Sequence, residues 1–238
     1  MIKEYLQKNG FEEFCPKAVL FDMDGVLYDS MPHHAVAWHE SMKHFGIDMS
    51  TADAYATEGA RGIDTIRVMV KKQQGKDISL EEAQKMYDLK SKIFHSMPEA
   101  PIFPGVRELM QMIKDCGLQI GVVTGSGQRP LIQRLLNDFG DFLDEEHIVT
   151  AYDVERGKPA PDPYLMGLKK AGVSNPWEGI VVENAPLGVR AGVAARLFTI
   201  AVNSGPLPDS VLLDEGANVL YHKMTELLAD FEQNIPRR

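Results

Sequence analysis

Residues 18–26 have the sequence AVLFDMDGV, in which four apolar residues precede two aspartates and a glycine. A continuous apolar run of this kind is typical of a strand covered on both faces of a parallel sheet. Side chains alternate along a strand, so Asp22 and Asp24 should point the same way, about 7 Å apart, with room for a tetrahedral group between them. A lone pair of aspartates is also common in surface turns, so the rest of the chain must decide between a site and a turn.

Five more apolar or β-branched runs, separated by helical patterns, predict the rest of the sheet: 118–124, 147–151, 179–182, 198–202 and 219–221. The helices between them carry the expected boundary signals. Residues 106–116 are closed by Gly117, and residues 162–171 have Pro163 in their first turn. This alternation predicts an α/β fold with a doubly wound parallel sheet.

Residues 31–100 interrupt the alternation, because their apolar residues fall at helical spacing. The three stripes are Ala35, Trp38, Met42 and Phe45; Ile63, Ile66 and Val70; and Met86, Leu89 and Ile93. Ser79 with Glu82 predicts a capping box. We therefore expect two units: an α/β core from residues 1–30 and 101–238, and an all-helical cap from residues 31–100 inserted after the first strand.

Polar side chains follow the other predicted strands, where ligands of open α/β sheets bind. Thr124 opens the glycine-rich turn 124–127, whose backbone N–H groups could face an anion at a helix start. Lys158 stands between a glycine and prolines in 157–161, and Glu183 precedes Asn184. Together with the two aspartates, these residues supply acids, a hydroxyl, a cation and oxygen ligands. That combination predicts a phosphate and magnesium site.

Composition narrows the class of protein. The chain has 238 residues, 44% of them hydrophobic, which is enough for a sizeable core, and its net charge of −9 argues against binding nucleic acid or anionic lipid. No apolar run approaches the roughly 18 residues of a membrane span, and the first residues are too charged for a signal peptide. We expect a cytoplasmic monomer that acts on small molecules. Cys15 and Cys116 fit reduced thiols and no zinc spacing, so a metal would be held by oxygen.

The motifs at residues 22–26, 124, 158–161 and 183–184 resemble, in order, the four motifs of the haloacid dehalogenase superfamily of phosphotransferases. The resemblance spans nearly the whole chain from about residue 17. The helical insert is similar to the small four-helix cap of β-phosphoglucomutase-like members. This resemblance implies a modified Rossmann core, Mg²⁺ dependence and a phosphoaspartyl intermediate.

The resemblance also implies roles for single residues. Asp22 would attack phosphorus, which an ionised carboxylate can do without a base. Asp24 would protonate the leaving oxygen and later accept a proton from the attacking water. Lys158 would neutralise charge, while Thr124 and the backbone of Gly125 and Ser126 would bind the phosphoryl oxygens. The implied Mg²⁺ ligands are Asp22, the carbonyl of Asp24, Glu183 and Asn184.

Two positions depart from the family pattern. Asn184 replaces the usual aspartate, which removes a negative charge and predicts weaker metal binding or compensation by another acid. Glu58 stands where the phosphosugar mutases of this group carry a lysine, and Arg61 is one place away from their arginine. We expect Glu58 to complete the Mg²⁺ shell when the cap closes; the alternative is a glutamate on the cap surface. The combination resembles the inorganic pyrophosphatase-type members of the superfamily.

The cap also carries His33, His34, His39 and His44, whose spacing puts them on no common helical face. His34 stands where the mutases place a hinge histidine, and we expect it and Arg61 to contact substrate. The resulting expectation is a Mg²⁺-dependent phosphohydrolase that prefers pyrophosphate or another small phosphate compound. The alternatives are a sugar-phosphate phosphatase, a β-phosphoglucomutase, which Glu58 disfavours, and a catalytically idle binding module.

Overall fold

The computed structural model describes residues 1–234, with side chains to residue 231. A six-stranded, fully parallel sheet lies at its centre, with the strand order β3-β2-β1-β4-β5-β6. Its strands are β1 (Ala18–Phe21), β2 (Gln119–Val123), β3 (Ile148–Val149), β4 (Gly179–Glu183), β5 (Phe198–Val202) and β6 (Val219–Tyr221). The predicted parallel sheet is confirmed. The third strand is shorter than predicted, because the chain at residues 150–153 leaves the sheet in a turn.

Eleven α-helices are present within residues 1–234. They are α1 (Ile2–Asn9), α2 (Met31–His44), α3 (Thr51–Ala56), α4 (Gly62–Gln74), α5 (Leu80–His95), α6 (Val106–Asp115), α7 (Arg129–Phe139), α8 (Asp162–Lys170), α9 (Pro186–Ala194), α10 (Asp209–Asp214) and α11 (Met224–Asn234). None of these helices is long and apolar enough to cross a membrane.

Both faces of the sheet are covered, as the unbroken apolar strands predict. In β1, Val19 and Phe21 pack into a cluster with side chains of α6, α7 and α11, whereas Ala18 and Leu20 pack on the opposite face with α8 and α9. This alternation follows from the two-residue period of a strand. The α/β doubly wound fold is therefore confirmed.

Helices α2 to α5 occupy the predicted cap segment and form a hydrophobic cluster of their own, which includes Trp38, Met42 and Ile66. The capping box of Ser79 and Glu82 is present at the start of α5. One predicted stripe needs correction: α5 buries Ala83, Met86 and Lys90, while residues 89 and 93 are only half-buried. The buried face of α5 therefore includes Lys90 and is rotated from the predicted one. The boundaries of the core and cap units at residues 30 and 100 stay a prediction.

The N-terminal helix α1, whose role the sequence left open, lies against the end of the sheet remote from the polar strand ends. The hydroxyl of Tyr5 donates to the carbonyl of Arg196 at 3.0 Å, and its ring contacts Phe198 edge to face, with centroids 5.3 Å apart. Burial raises the pKa of Tyr5 to about 12, partly offset by Arg196. The helix therefore closes the hydrophobic core rather than contributing to the site.

Candidate active site

The carboxyl ends of three neighbouring strands bring the predicted site residues together. Strand β1 lies between β2 and β4, so Asp22, Thr124 and Glu183 emerge side by side at one edge of the sheet. All three are at least nine-tenths buried. A charged side chain is rarely buried without a partner, so the surroundings of these acids define the chemistry.

Lys158 is the partner of both acids. Its ammonium donates to Asp22 Oδ1 at 2.5 Å, to Glu183 Oε1 at 2.6 Å and to the carbonyl of Val123 at 2.9 Å. All three donors of the ammonium are therefore satisfied. The two carboxylates raise the pKa of Lys158 above its usual value despite burial, which keeps the side chain cationic. One buried cation thus holds two carboxylates in fixed positions.

Burial raises the pKa of Asp22 well above its usual value, and Lys158 opposes this shift. Glu183 and Asp24 act in the same direction as burial, because like charges disfavour ionisation. A nucleophilic carboxylate must be ionised. A further cation beside Asp22, in addition to Lys158, would favour the ionised form of this carboxyl.

Asp24 lies in a different environment. Burial disfavours its ionised form, but the neighbouring His34 and a hydrogen bond from Ser30 prevail and lower the pKa of Asp24 to about 2. The hydroxyl of Ser30 donates to Asp24 Oδ1 at 2.6 Å, and Nε2 of His34 lies 3.1 Å from the same oxygen without hydrogen-bond alignment. Asp24 is consequently ionised and able to accept a proton. An anionic phosphoryl group beside it would favour the protonated acid.

A buried lysine of the cap, Lys90, stands behind His34. Its Nζ lies 2.7 Å from Nδ1 of His34 and 5.0 Å from the centroid of the Trp38 ring. An ammonium can only donate, so this contact makes Nδ1 the acceptor and leaves the N–H of His34 on Nε2, toward Asp24. Burial lowers the pKa of Lys90 to about 8, although Glu58 and Asp24 oppose the shift. Lys90, His34 and Asp24 form one chain from cap to core.

We predict that Lys90 determines the basic limb of the pH profile. The groups that face it are His34, Asp24, Glu58 and Tyr87. Above a pH of about 8 the ammonium loses its proton, and the tautomer of His34 is no longer fixed. In the wild type, kcat/KM for phosphate release should then fall by about tenfold per pH unit. In Lys90→Met this limb should be absent, at lower activity throughout.

The same group gives a stability signature. Because the pKa of Lys90 is lowered to about 8 from 10.5, the unfolded chain binds more protons between these two values. Its contribution to the free energy of unfolding should therefore rise with pH across that window. Urea unfolding of wild type and Lys90→Met checks the sign, with Lys85→Met on the exposed face of α5 as control. If the basic limb of the kcat/KM profile were unchanged in Lys90→Met, Lys90 would not be the group that determines it.

Asn184 supplies the observation that bears on a metal. Its side-chain oxygen is buried and has no hydrogen-bond partner among the described residues. Gly25 makes room for this amide, because a Cβ at Gly25, where φ is +83°, would lie 2.0 Å from Asn184 Nδ2. An unpartnered buried oxygen on an amide next to Gly25, the residue after Asp24, fits a Mg²⁺ ligand, since Mg²⁺ prefers oxygen donors.

Glu183 fits the metal less well than the sequence suggested. One carboxylate oxygen accepts from Lys158 and from the hydroxyl of Tyr164 at 2.7 Å, and the other accepts from the backbone N–H groups of Asn184 and Ala185. The structure thus shows Glu183 as a support for Lys158. In residues 1–234 no three His, Cys, Asp or Glu side chains form a metal cluster. The donors that fit are Asp22, the carbonyl of Asp24 and Asn184.

The cap closes directly over these residues. A cavity of about 30 Å³ is lined by Asp22, Asp24 and Thr124 from the core and by His34 and Glu58 from the cap. The cap loop, residues 57–62, touches the phosphate loop of the core, residues 124–127. A Cβ at Gly125 would lie 2.9 Å from the carbonyl oxygen of residue 59. Burial raises the pKa of Glu58, which His34 opposes. The structure thus brings Glu58 to the core site.

The remaining predicted residues are placed as follows. Gly125 and Ser126 line the cavity, and the N–H of Ser126 donates to the hydroxyl oxygen of Thr124 at 3.0 Å. Arg61 lies outside the cavity, where its guanidinium binds Asp64 at 2.7 Å and the carbonyl of Glu155 at 2.9 Å. The structure therefore shows Arg61 holding the cap to the core rather than facing a substrate. His39 bonds the carbonyl of Met49, and His44 is exposed.

Several residues of the site were missed from the sequence. Tyr164 bonds Glu183, Tyr87 and Lys90 line the cavity, and Gln128 joins the phosphate loop to the cap. Lys90 alone left a readable signal, because it follows Ala83 and Met86 at helical spacing on an otherwise apolar face. A lysine on such a face is expected to be buried only where another group pairs with its ammonium. No comparable pattern in the sequence indicated Tyr164 or Gln128.

Comparisons with known proteins agree with this geometry. The model of haloacid dehalogenase-like hydrolases matches residues 19–202. Hexitol phosphatase A of Escherichia coli is 31% identical over 218 residues, covering 92% of this chain and 96% of the relative, and β-phosphoglucomutase of Bacillus subtilis is 28% identical over 79% and 84%. A solved structure from Bacteroides vulgatus, provisionally named a β-phosphoglucomutase, has a TM-score of 0.93 and 49% identity, covering 97% of this chain and 93% of that one.

The family match covers the segments that carry Asp22, Thr124, Lys158 and Glu183, and the relatives are similar along nearly their whole lengths. The names of the curated relatives describe enzymes of small phosphorylated sugars. The chain belongs to the haloacid dehalogenase-like hydrolases.

Proposed function

We propose that the chain is a Mg²⁺-dependent phosphohydrolase whose preferred substrate is pyrophosphate or another small phosphate compound. The observation that carries this proposal is Glu58, a cap carboxylate that lines a cavity of only about 30 Å³ together with Asp22 and Asp24. A volume of this size holds only about two water molecules, so Glu58 lies close to the core acids. A third acid at this point would repel an anionic substrate unless a cation lay between them.

The proposed reaction uses the chain's own groups at each step. Asp22 attacks phosphorus, and the bond between phosphorus and the leaving oxygen breaks as Asp24 gives that oxygen a proton. Water then attacks the phosphorus of the aspartyl phosphate and gives its proton to Asp24, and the bond from phosphorus to the Asp22 oxygen breaks, which releases phosphate and restores Asp22. Lys158 keeps Asp22 in place and balances its charge, while Thr124 binds a phosphoryl oxygen. Bound Mg²⁺ would supply the positive charge that lets two anions approach each other.

The Mg²⁺ ligands proposed are Asp22, the carbonyl of Asp24 and Asn184, with Glu58 as the contribution of the cap. Asn184 removes one negative charge from the core set, and Glu58 restores it when the cap is closed. The support for this set is the unpartnered oxygen of Asn184 and the position of Glu58 in the cavity that Asp22 and Asp24 line.

A sugar-phosphate phosphatase is the second candidate, favoured by the similarity to hexitol phosphatase A. A phosphoglucomutase is less well supported, because a mutase must hold a second phosphate with cations of the cap. Arg61 is bound to Asp64 and Glu155 in this structure, and Glu58 would bring negative rather than positive charge to the second phosphate.

A phosphate-release panel with Mg²⁺ tests the substrate. It contains pyrophosphate, a hexitol phosphate, a hexose 6-phosphate and β-glucose 1-phosphate, the last also followed for isomerisation. We expect kcat/KM for pyrophosphate to exceed that for every sugar phosphate by at least about tenfold, or about 1.4 kcal/mol. A sugar phosphate that is hydrolysed faster would select the second candidate, and isomerisation without release would select the mutase.

Glu58→Ala tests the contribution of the cap to the metal. Loss of one oxygen ligand should weaken Mg²⁺ binding, measured by calorimetry without substrate, by about tenfold or more. The Mg²⁺ concentration for half-maximal phosphate release should rise with it. Glu40→Ala, an exposed glutamate on α2, is the control and should leave both values unchanged. Wild-type Mg²⁺ binding in Glu58→Ala would show that Glu58 is not a ligand.

A further inference from the structure

Two spaces meet where the cap lies on the core. The inner one is the catalytic cavity of about 30 Å³, and the outer one is a vestibule of about 290 Å³ between α5, the cap loop and the turn at residues 125–128. Tyr152 stands at the rim of the vestibule with 86% of its surface exposed. Four residues line both spaces and form the wall between them: Gly62, Tyr87, Gly125 and Gln128.

Gln128 is the part of this wall that joins the core to the cap. Its Nε2 donates to the hydroxyl of Tyr87 at 3.0 Å and to the hydroxyl of Ser91 at 3.1 Å, and its Oε1 is bonded to Nε2 of His95. The three partners are four residues apart, so they lie on one face of α5. The amide of this single core side chain therefore makes hydrogen bonds to the cap through both its nitrogen and its oxygen.

The two glycines of the wall have no room for a side chain. A Cβ at Gly62 would lie 2.1 Å from the ring of Tyr87, and one at Gly125 would lie 2.9 Å from the carbonyl oxygen of residue 59. The backbone of the cap loop is therefore packed against its neighbours. Gln128 is held in the wall by hydrogen bonds of its side chain, and shortening that side chain removes this part of the wall without adding an atom to the packed backbone.

The vestibule has the chemistry of a site for a polyol chain. Asp64 and Gln84 give it hydrogen-bonding groups, and the exposed side chains of Leu80 and Tyr152 give it an apolar rim. A sugar or polyol attached to a phosphoryl group in the catalytic cavity would have to pass Gln128 to reach this space.

We propose that Gln128 determines specificity by separating the catalytic cavity from the vestibule, which limits the closed enzyme to small leaving groups. This inference rests on the proposed phosphohydrolase function and deepens it. Gln128 would discriminate between substrate classes and would take no part in the bond-breaking step. Removal of the side chain should join the two spaces and admit sugar and polyol phosphates.

The test compares kcat/KM for a hexitol phosphate and for pyrophosphate in wild type and Gln128→Ala. We expect the ratio of sugar phosphate to pyrophosphate to rise by at least about tenfold, mainly through a lower KM for the sugar phosphate. Tyr87→Phe, which removes one of the hydrogen bonds without shortening Gln128, should raise the ratio less. Gln133→Ala, an exposed glutamine on α7 that bonds only Asn137, is the matched control and should keep the wild-type ratio.

Thermal unfolding establishes that each variant is folded, and Tyr87→Phe replaces Gln128→Ala if that chain does not fold. An unchanged ratio, or an equal loss of kcat for both substrates, would overturn the gate while leaving the phosphohydrolase function intact. If the wild type does not hydrolyse pyrophosphate, the preferred substrate is wrong. The gate is then tested with methyl phosphate as the small substrate, and the same rise in ratio is required.

Discussion

Replacement of Asp22 by asparagine is expected to lower kcat for phosphate release by at least about 10³-fold, because an amide cannot replace the ionised carboxylate as nucleophile. Asparagine has nearly the same shape, so the contacts around residue 22 are preserved. Lys158 keeps its bonds to Glu183 and to the carbonyl of Val123 in the variant. The loss should therefore fall on kcat, with the fold retained.

Stopped assays with enough enzyme to detect about one thousandth of the wild-type rate measure this loss. Circular dichroism and thermal unfolding show whether the variant is folded. Asp115→Asn, at an exposed position on α6, is the matched control and should keep wild-type turnover. Retention of more than about a tenth of the wild-type rate by folded Asp22→Asn would mean that another group attacks phosphorus.

Replacement of Lys158 by methionine is expected to cost both turnover and about 3–5 kcal/mol of stability, because it leaves two buried carboxylates without their cation. In a chain of this size such a loss lowers Tm by roughly 6–20 °C. Asp22 and Glu183 would then face each other across an apolar side chain. Lys71→Met, which removes an exposed ion pair with Asp77, should change Tm little.

The pH dependence gives this prediction a sign. Burial already raises the pKa of Asp22, and loss of Lys158 raises it further, so the folded variant binds more protons than the unfolded chain above a pH of about 4. Its stability should fall as pH rises. The difference in unfolding free energy between wild type and Lys158→Met should therefore grow with pH above the pKa of Asp22 in the folded wild type. A constant difference would contradict the buried charge pair as its cause.

The core of the fold could be predicted because its signals are local. The run Ala18–Phe21 is apolar without alternation, which only a strand covered on both faces satisfies, and the glycines and prolines that end the neighbouring helices are local as well. The catalytic core followed from the same logic. Parallel strands end at one edge, so residues that directly follow β1, β2 and β4 had to meet there.

The residues of the cap were harder to place, because their partners lie far away in the chain. Lys90 meets His34 across 56 positions, and Gln128 meets Tyr87 across 41. Such contacts depend on how the cap packs on the core, which no short-range pattern encodes. Arg61 shows the consequence: its sequence position suggested a substrate contact, whereas the structure has it bonded to Asp64 and Glu155.

The central claim is that Asp22 carries the phosphoryl group, and acid-quench labelling tests it most directly. Wild type is mixed with Mg²⁺ and ³²P-labelled pyrophosphate, or with the labelled substrate that the panel selects, and is quenched during the first turnover, because Asp24→Ala would lack the acid of the first step as well as the base of the second. We predict protein-bound label that hydroxylamine removes and that maps to the peptide containing Asp22. Label on another peptide, or none while the wild type turns over that substrate, would contradict the phosphoaspartyl mechanism.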